Sequence, residues 1–388
     1  MVIPYGRQDI QQSDISAVLE VLQSEYLTQG PTVPIFEELV TEYCGADYGI
    51  AVNSATSALH IALLSLDVGP GDTVWSTPIT FVASSNAALY CGANVDFVDI
   101  DPQSYNMCPL ALEKKLLVAK KQGALPKVVM PVHLTGQPCD MKSIHDLSKD
   151  YGFKVVEDAS HAIGATYLDH TIGNCKFSDI TVFSFHPVKI ITTAEGGMAL
   201  TNNKKIAEKM RLLRSHGITR NASEMINTPD GPWYYEQIDL GFNYRMTDLQ
   251  AALGVSQMKR LDEYVKRRHE IADRYNRELA TLPLILPKQS NFSYSAYHLY
   301  VVKMKLAEIA PLTHSLVFQQ LRDRGILVNL HYIPVHTQPY YRKLGFRRGD
   351  FPNAEDYYRS AISIPMFPSM TDEMQSEVIQ KISEVVAS

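Results

Sequence analysis

The chain has 388 residues, 45% of them hydrophobic and 20% charged, and a formal net charge of -6. This length supplies a large core and room for two lobes, while the acidic balance without a basic run argues against nucleic acid or a membrane surface as partner. No apolar run reaches spanning length or forms a leader, the five cysteines lack CxxC spacing and the twelve histidines lack metal spacing, so a cytoplasmic α/β enzyme without a metal site is expected.

Residues 1 to 35 hold Pro4-Tyr5-Gly6-Arg7, an amphipathic helix capped by Ser13 and running to Gln23, and the polar turn Tyr26-Leu27-Thr28-Gln29-Gly30-Pro31. Such an arm crosses a surface or lies over a pocket, and its own residues favour the surface. A second helix covers 34 to 44. The strand Tyr48 to Val52 then runs into Asn53-Ser54-Ala55-Thr56-Ser57 and an apolar helix. That helix start exposes unpaired N–H groups, and Ser54, Thr56 and Ser57 add hydroxyls. An anion site for a phosphate and ordinary N-capping by Ser54 are equal readings.

A strand over 74–77 leads through Phe81 to a helix over 82–90. Phe81 is placed to stack on a flat cofactor, although alone it reads more simply as core. Strands at 94–99 and 127–132, helices at 110–120 and 141–151, and a strand 154–158 ending in Glu157-Asp158-Ala-Ser-His161 follow. This alternation predicts a mostly parallel sheet covered on both faces, with ligands beyond the carboxyl ends of its strands. Thr56, Phe81, His133, Asp158 and Ser184 all fall at or just past such ends.

The stretch Asp179 to Leu200 reads as a strand over 180–185, a loop holding Ser184, His186, Pro187 and Lys189, and a Gly196-Gly197 turn into a second strand. Lys189 sits in an apolar loop with no acid closer than Glu195. Lost hydration there favours the neutral amine, a nucleophile that forms Schiff bases with aldehydes. From this stretch alone, snorkelling to water is the commoner fate of a loop lysine.

Beyond it come a helix over 204–216, a loop to 240 whose Trp233, Tyr234 and Tyr235 suggest packing on a partner, and one long helix over 248–278. Strands at 297–304 and 325–331 flank a helix at 312–324, and a helix at 374–386 closes the chain. The expected division is 1–260, an arm and a large cofactor-binding α/β domain, and 261–388, a smaller α+β domain.

GxGxxG, GxxxxGK[ST], HExxH and GxSxG are all missing, so dinucleotide, P-loop, zincin and α/β-hydrolase readings lack their strongest signals. What remains is a lysine, a helix-start phosphate cradle, a strand-end aspartate and a stacking aromatic. Pyridoxal phosphate needs this set: lysine carries the aldehyde, aspartate keeps the pyridine nitrogen protonated, and N–H and hydroxyl groups take the phosphate.

Asn53-Ser-Ala-Thr-Ser-Ala-Leu59, Glu157-Asp-Ala-Ser-His-Ala162, Phe183-Ser-Phe-His-Pro-Val-Lys-Ile-Ile-Thr-Thr-Ala-Glu-Gly-Gly197 and Leu240-Gly-Phe-Asn-Tyr-Arg-Met-Thr-Asp-Leu-Gln-Ala-Ala252 resemble the nucleotide-sugar aminotransferases, which are fold-type I pyridoxal-phosphate enzymes. Tyr26-Leu-Thr-Gln-Gly30, Arg214-Ser-His-Gly217 and Gly325-Ile-Leu-Val-Asn-Leu-His-Tyr332 place the resemblance nearest the pseudaminic acid branch of that family.

The resemblance implies that Lys189 is the Schiff-base lysine and the proton-moving base. It pairs Asp158 with the ring nitrogen, sets His161 by the ring's 3-oxygen and stacks Phe81 on the ring. Thr56, Ser57 and Ser184 would hold the phosphate. Asn243 would reach the cofactor phosphate of the neighbouring subunit in a homodimer. Tyr5, Glu25, Tyr26, Leu27, Thr28, His331 and Tyr332 would approach the sugar nucleotide.

The implied reaction moves an amino group from L-glutamate to the 4-keto carbon of a UDP-linked 4-keto-6-deoxy-N-acetylhexosamine. Another dTDP-, GDP- or UDP-keto-sugar is the nearest alternative. A non-catalytic binding protein is the remotest, since Lys189, Asp158 and the phosphate hydroxyls are all present. Relatives that dehydrate instead carry histidine where Lys189 stands. Two departures are noted: Ala55 and Ala194 occupy positions where many relatives have glycine.

Overall fold

Seven short apolar runs become the strands of one sheet in the computed structural model, which describes residues 2 to 386. In chain order they are β1 (Tyr48–Val52), β2 (Thr73–Ser76), β3 (Asn94–Phe97), β4 (Val128–Val129), β5 (Lys154–Asp158), β6 (Ile180–Ser184) and β7 (Gly197–Thr201). Across the sheet they lie β1-β7-β6-β5-β4-β2-β3, and only β7 runs against the others.

Alternate residues of each strand enter two separate cores, as the period of two requires. Ile50, Val74, Val128, Val156 and Val182 pack with the helix Ala55–Ser65 on one face. Ala51, Trp75, Val129, Val155 and Phe183 pack with Phe36, Leu112 and Ile144 from three other helices on the opposite face. The inner strands are thus largely apolar because both sides are covered, while β3, at one edge, keeps Asn94 exposed and Asp96 half-buried.

A third core joins the helices Leu261–Glu278 and Asp372–Val386 to an antiparallel sheet built from Leu284–Ile285, Tyr300–Met304 and Ala361–Ile364. Ile3 belongs to this core, because Ile3–Pro4 pairs in parallel with Ile326–Leu327. No helix among the described residues is long and apolar enough to cross a membrane.

The single helix expected over 248–278 is two, Asp248–Met258 and Leu261–Glu278. Arg260 stands at the break, where its Nη2 donates to both oxygens of the buried Asp14 at 2.8 and 2.7 Å. The first helix begins at Gln12 rather than after a Ser13 cap, with Gln11 N–H donating to Asp14 at 2.9 Å. The strand expected over 325–331 shrinks to Ile326–Leu327, and the rest is loop that reaches the cavity described below. The segment 217–240 holds one two-residue hairpin and leaves Trp233 71% and Leu240 75% exposed.

Asp248, fully buried, fixes the start of the helix Thr32–Cys44 from a distance. Its carboxylate accepts from the N–H groups of Gly30 and Thr32 at 2.8 Å and of Val33 at 3.2 Å. Asp248→Ala should therefore cost about 2–3 kcal/mol by stranding these donors. A urea unfolding curve checks this, and an unchanged midpoint would refute it.

Candidate active site

Past the carboxyl ends of β1, β2, β5 and β6 the turns and loops that follow these strands converge on a cavity of about 900 Å3. Its walls include Thr56, Ser57, Phe81, Asp158, His161, Ser184 and Lys189 from the sheet side, and Tyr5, His331 and Tyr332 from the arm and the C-terminal part. A smaller opening of about 430 Å3 near Phe346 lies elsewhere, and its Lys115 is paired to Asp96 at 2.6 Å.

Lys189 is placed by a tight turn in which its N–H donates to the carbonyl of His186 at 2.9 Å. Its side chain opens onto the cavity, yet the surrounding protein strips its hydration. Burial draws the amine down to about 8, with the Asp158 carboxylate opposing. At pH 7 about a tenth of such an amine is neutral, against well under a thousandth for an ordinary lysine.

Asp158 ends β5 and is 4% exposed. Its Oδ2 accepts from Ser84 Oγ at 2.6 Å, and its Oδ1 from Ser160 Oγ at 2.6 Å and Ser160 N–H at 3.1 Å. A charged carboxylate in so dry a place survives only with such donors.

His161 lies beside it with both ring nitrogens engaged. Thr135 N–H donates to Nδ1 at 3.3 Å, so that nitrogen keeps its lone pair; Nε2 carries the proton and donates to Tyr332 Oη at 3.1 Å. Burial, then the charge of Lys189, hold His161 well below the usual imidazole range, which agrees with a neutral ring. Burial raises the Tyr332 hydroxyl, so Tyr332 keeps its own proton to donate into the cavity. His331 is also neutral, pulled down to about 3 by burial and Lys189, with Nδ1 against Ser363 Oγ at 2.8 Å.

At the start of the helix Ala55–Ser65, both expectations meet. Ser54 Oγ caps the helix, accepting from Ser57 N–H at 3.1 Å, and Ser57 Oγ donates to Asn53 at 2.7 Å. The Thr56 and Ser184 hydroxyls make no hydrogen bond among the described residues, and the helix-start N–H groups of Ala55 and Thr56 precede the first helical bond. Gly197 lets β7 reach this point, since a Cβ there would stand 2.5 Å from the Ala55 nitrogen.

The remaining residues fall outside. Glu25, Tyr26, Leu27, Thr28 and Asn243 do not line this chain's cavity and are exposed. Thr28 bridges Thr247, and the Asn243 carbonyl accepts from Asn53 Nδ2 at 3.3 Å. Phe81 is at the mouth, 59% exposed, not in the core, with its ring 6.2 Å from Tyr332. Ser84, Ser160, His298 and Asn329 line the cavity and were missed. Ser160, two residues past Asp158, forms an Asx-turn that was legible; the others carry no local signal.

Lysine, buried carboxylate, free hydroxyls and a helix start thus share one cavity, and this donor set fits pyridoxal phosphate. Fold and cavity define a pyridoxal-phosphate transferase with a mainly parallel central sheet. Residues 8–383 match the DegT/DnrJ/EryC1/StrS aminotransferase family. The spore coat polysaccharide biosynthesis protein SpsC of Bacillus subtilis is 40% identical over 387 residues, 99% of this chain and 97% of its own. The UDP-4-amino-4,6-dideoxy-N-acetyl-beta-L-altrosamine transaminase of Campylobacter jejuni is 37% identical over 370 residues, 95% and 93% of the two chains. Helicobacter pylori PseC, an aminotransferase involved in the biosynthesis of pseudoaminic acid, superposes with a TM-score of 0.91 at 31% identity over 100% of both chains. The chain belongs to the DegT/DnrJ/EryC1/StrS family and is a pyridoxal-phosphate-dependent sugar aminotransferase.

Proposed function

We propose that the enzyme moves an amino group from L-glutamate to the 4-keto carbon of a UDP-linked 4-keto-6-deoxy-N-acetylhexosamine, giving UDP-4-amino-4,6-dideoxy-N-acetyl-β-L-altrosamine. The observation that carries this is the likeness, across nearly the whole chain, to the Campylobacter transaminase named for that product. The spore-coat relative favours a second reading, another nucleotide-linked keto sugar.

Thr56, Ser184, Ser57 and the helix-start N–H groups would hold the cofactor's phosphate, Asp158 its ring nitrogen, and Phe81 its face. When bound, pyridoxal phosphate supplies an electron-accepting ring that makes the neighbouring C–H bond acidic. Lys189, neutral in an appreciable fraction at pH 7, takes the proton from the donor carbon and returns it on the acceptor side. Tyr332, its oxygen fixed by His161, offers a hydroxyl proton to a ligand oxygen. Tyr5, whose ring lies 5.1 Å from that of His331, closes the wall opposite the sheet without adding charge.

Glu25, Tyr26, Leu27, Thr28 and Asn243 act in a homodimer, where Asn243 completes the partner's phosphate site. Their exposure supports this, as do Ile15, Leu19 and Leu22, apolar and about half exposed on the helix Gln12–Leu22. The division into domains 1–260 and 261–388 follows the helix break at 259–260. Five free cysteines support a cytoplasmic setting.

A panel of keto-sugar nucleotides with glutamate, the product amine assigned by NMR, tests the reading. The UDP-linked 4-keto sugar should show the highest kcat/KM. Preference for a dTDP- or GDP-sugar would overturn the assignment.

A further inference from the structure

The Asp158 carboxylate is held by more of this chain than its expected task requires. It offers about four lone-pair sites. Ser84 Oγ fills one on Oδ2, and Ser160 fills two on Oδ1 through its Oγ and N–H. One acceptor direction remains, on the oxygen that Ser84 also grips.

The hydroxyl of Ser84 has a single proton with two acceptors in reach, Asp158 at 2.6 Å and the Phe81 carbonyl at 3.3 Å. The shorter, charge-assisted bond takes it. The 2.7 Å contact between Thr80 Oγ1 and Ser84 Oγ is then donated by Thr80, which aligns and polarises Ser84. Thr80 and Ser84 are 2% and 1% exposed, so water does not replace them. Both come from the turn and helix start after β2 that also present Phe81, whereas Asp158 and Ser160 come from the end of β5.

We propose that Ser84 and Ser160 are positioning residues that leave Asp158 a single acceptor direction, reserved for the protonated ring nitrogen of the cofactor, with Thr80 orienting Ser84. This rests on the pyridoxal-phosphate reading. Nothing in the local sequence marks Ser84, which stands 74 residues from its partner.

The test compares two ligands: pyridoxal phosphate, and its analogue with a C–H group in place of the ring nitrogen. Calorimetric titration of the full-length apo protein, with circular dichroism confirming the fold, is run on wild type, Ser84→Ala, Ser160→Ala and Ser84→Thr. Wild type should prefer pyridoxal phosphate. Each alanine variant should bind it about tenfold more weakly while binding the analogue within about twofold of wild type. Ser84→Thr, which keeps a hydroxyl, should recover most of the loss. Equal losses for both ligands, or none for either, would overturn the proposal, and Ser160→Ala decides it should Ser84→Ala fail to fold. A wild type that binds neither ligand would instead sink the cofactor reading beneath it.

Discussion

Lys189→Ala should lower kcat by roughly 10^4-fold, because it removes both the covalent anchor and the base that moves the proton. The fold should survive, since the side chain opens onto the cavity and makes no hydrogen bond of its own among the described residues. The pH dependence of the wild type carries the same argument. An ordinary lysine becomes neutral only above pH 10; this one is drawn down to about 8. Covalent capture of an aldehyde by the apo protein should therefore rise as pH passes through about 8 and level off above it. Stopped-flow absorbance across pH 6 to 10 checks this, and a midpoint near that of free lysine would show a hydrated amine.

Asp158→Asn should come second, with kcat reduced about 10^3-fold and overall shape unchanged. Asparagine fills nearly the same volume, and its one oxygen can keep the Ser160 donors while its amide nitrogen takes the place of the oxygen that Ser84 grips, but it cannot hold a proton on the ring nitrogen. Asp158 is also the charge that favours the Lys189 ammonium, opposing burial. Its neutralisation removes that support, so the midpoint for aldehyde capture should move below about 8. A variant with wild-type kcat, or a midpoint displaced upward, would contradict both roles.

Residues 48 to 201 were legible because each strand is short, apolar and followed by a turn residue, so local pattern and final topology agree. The catalytic end of the sheet followed from topology alone: Thr56, Asp158 and Ser184 could be placed there before any side-chain geometry was known. Lys189 itself was less legible. Its own stretch favoured a solvated lysine, and only resemblance to a family reversed that reading.

What escaped depends on distant partners. The helix break at residues 259–260 answers to Asp14, 246 residues away, and no periodicity reports that. The tautomer of His161 is set by a backbone N–H at Thr135, whose φ of 62° belongs to the loop fold and not to its residue type. The turn Glu25 to Thr28 and Asn243 carry names in the sequence but no place in this cavity. Of the two departures, Ala194 has φ 65°, the left-handed conformation that explains why glycine is common there. Ala55 merely begins a regular helix, where glycine has no conformational advantage.

The most direct test reduces the pyridoxal-phosphate-loaded wild-type protein with borohydride and locates the modified lysine by peptide mapping. The account predicts one modified peptide, containing Lys189. A label on any other lysine, or a protein that takes none, would contradict it.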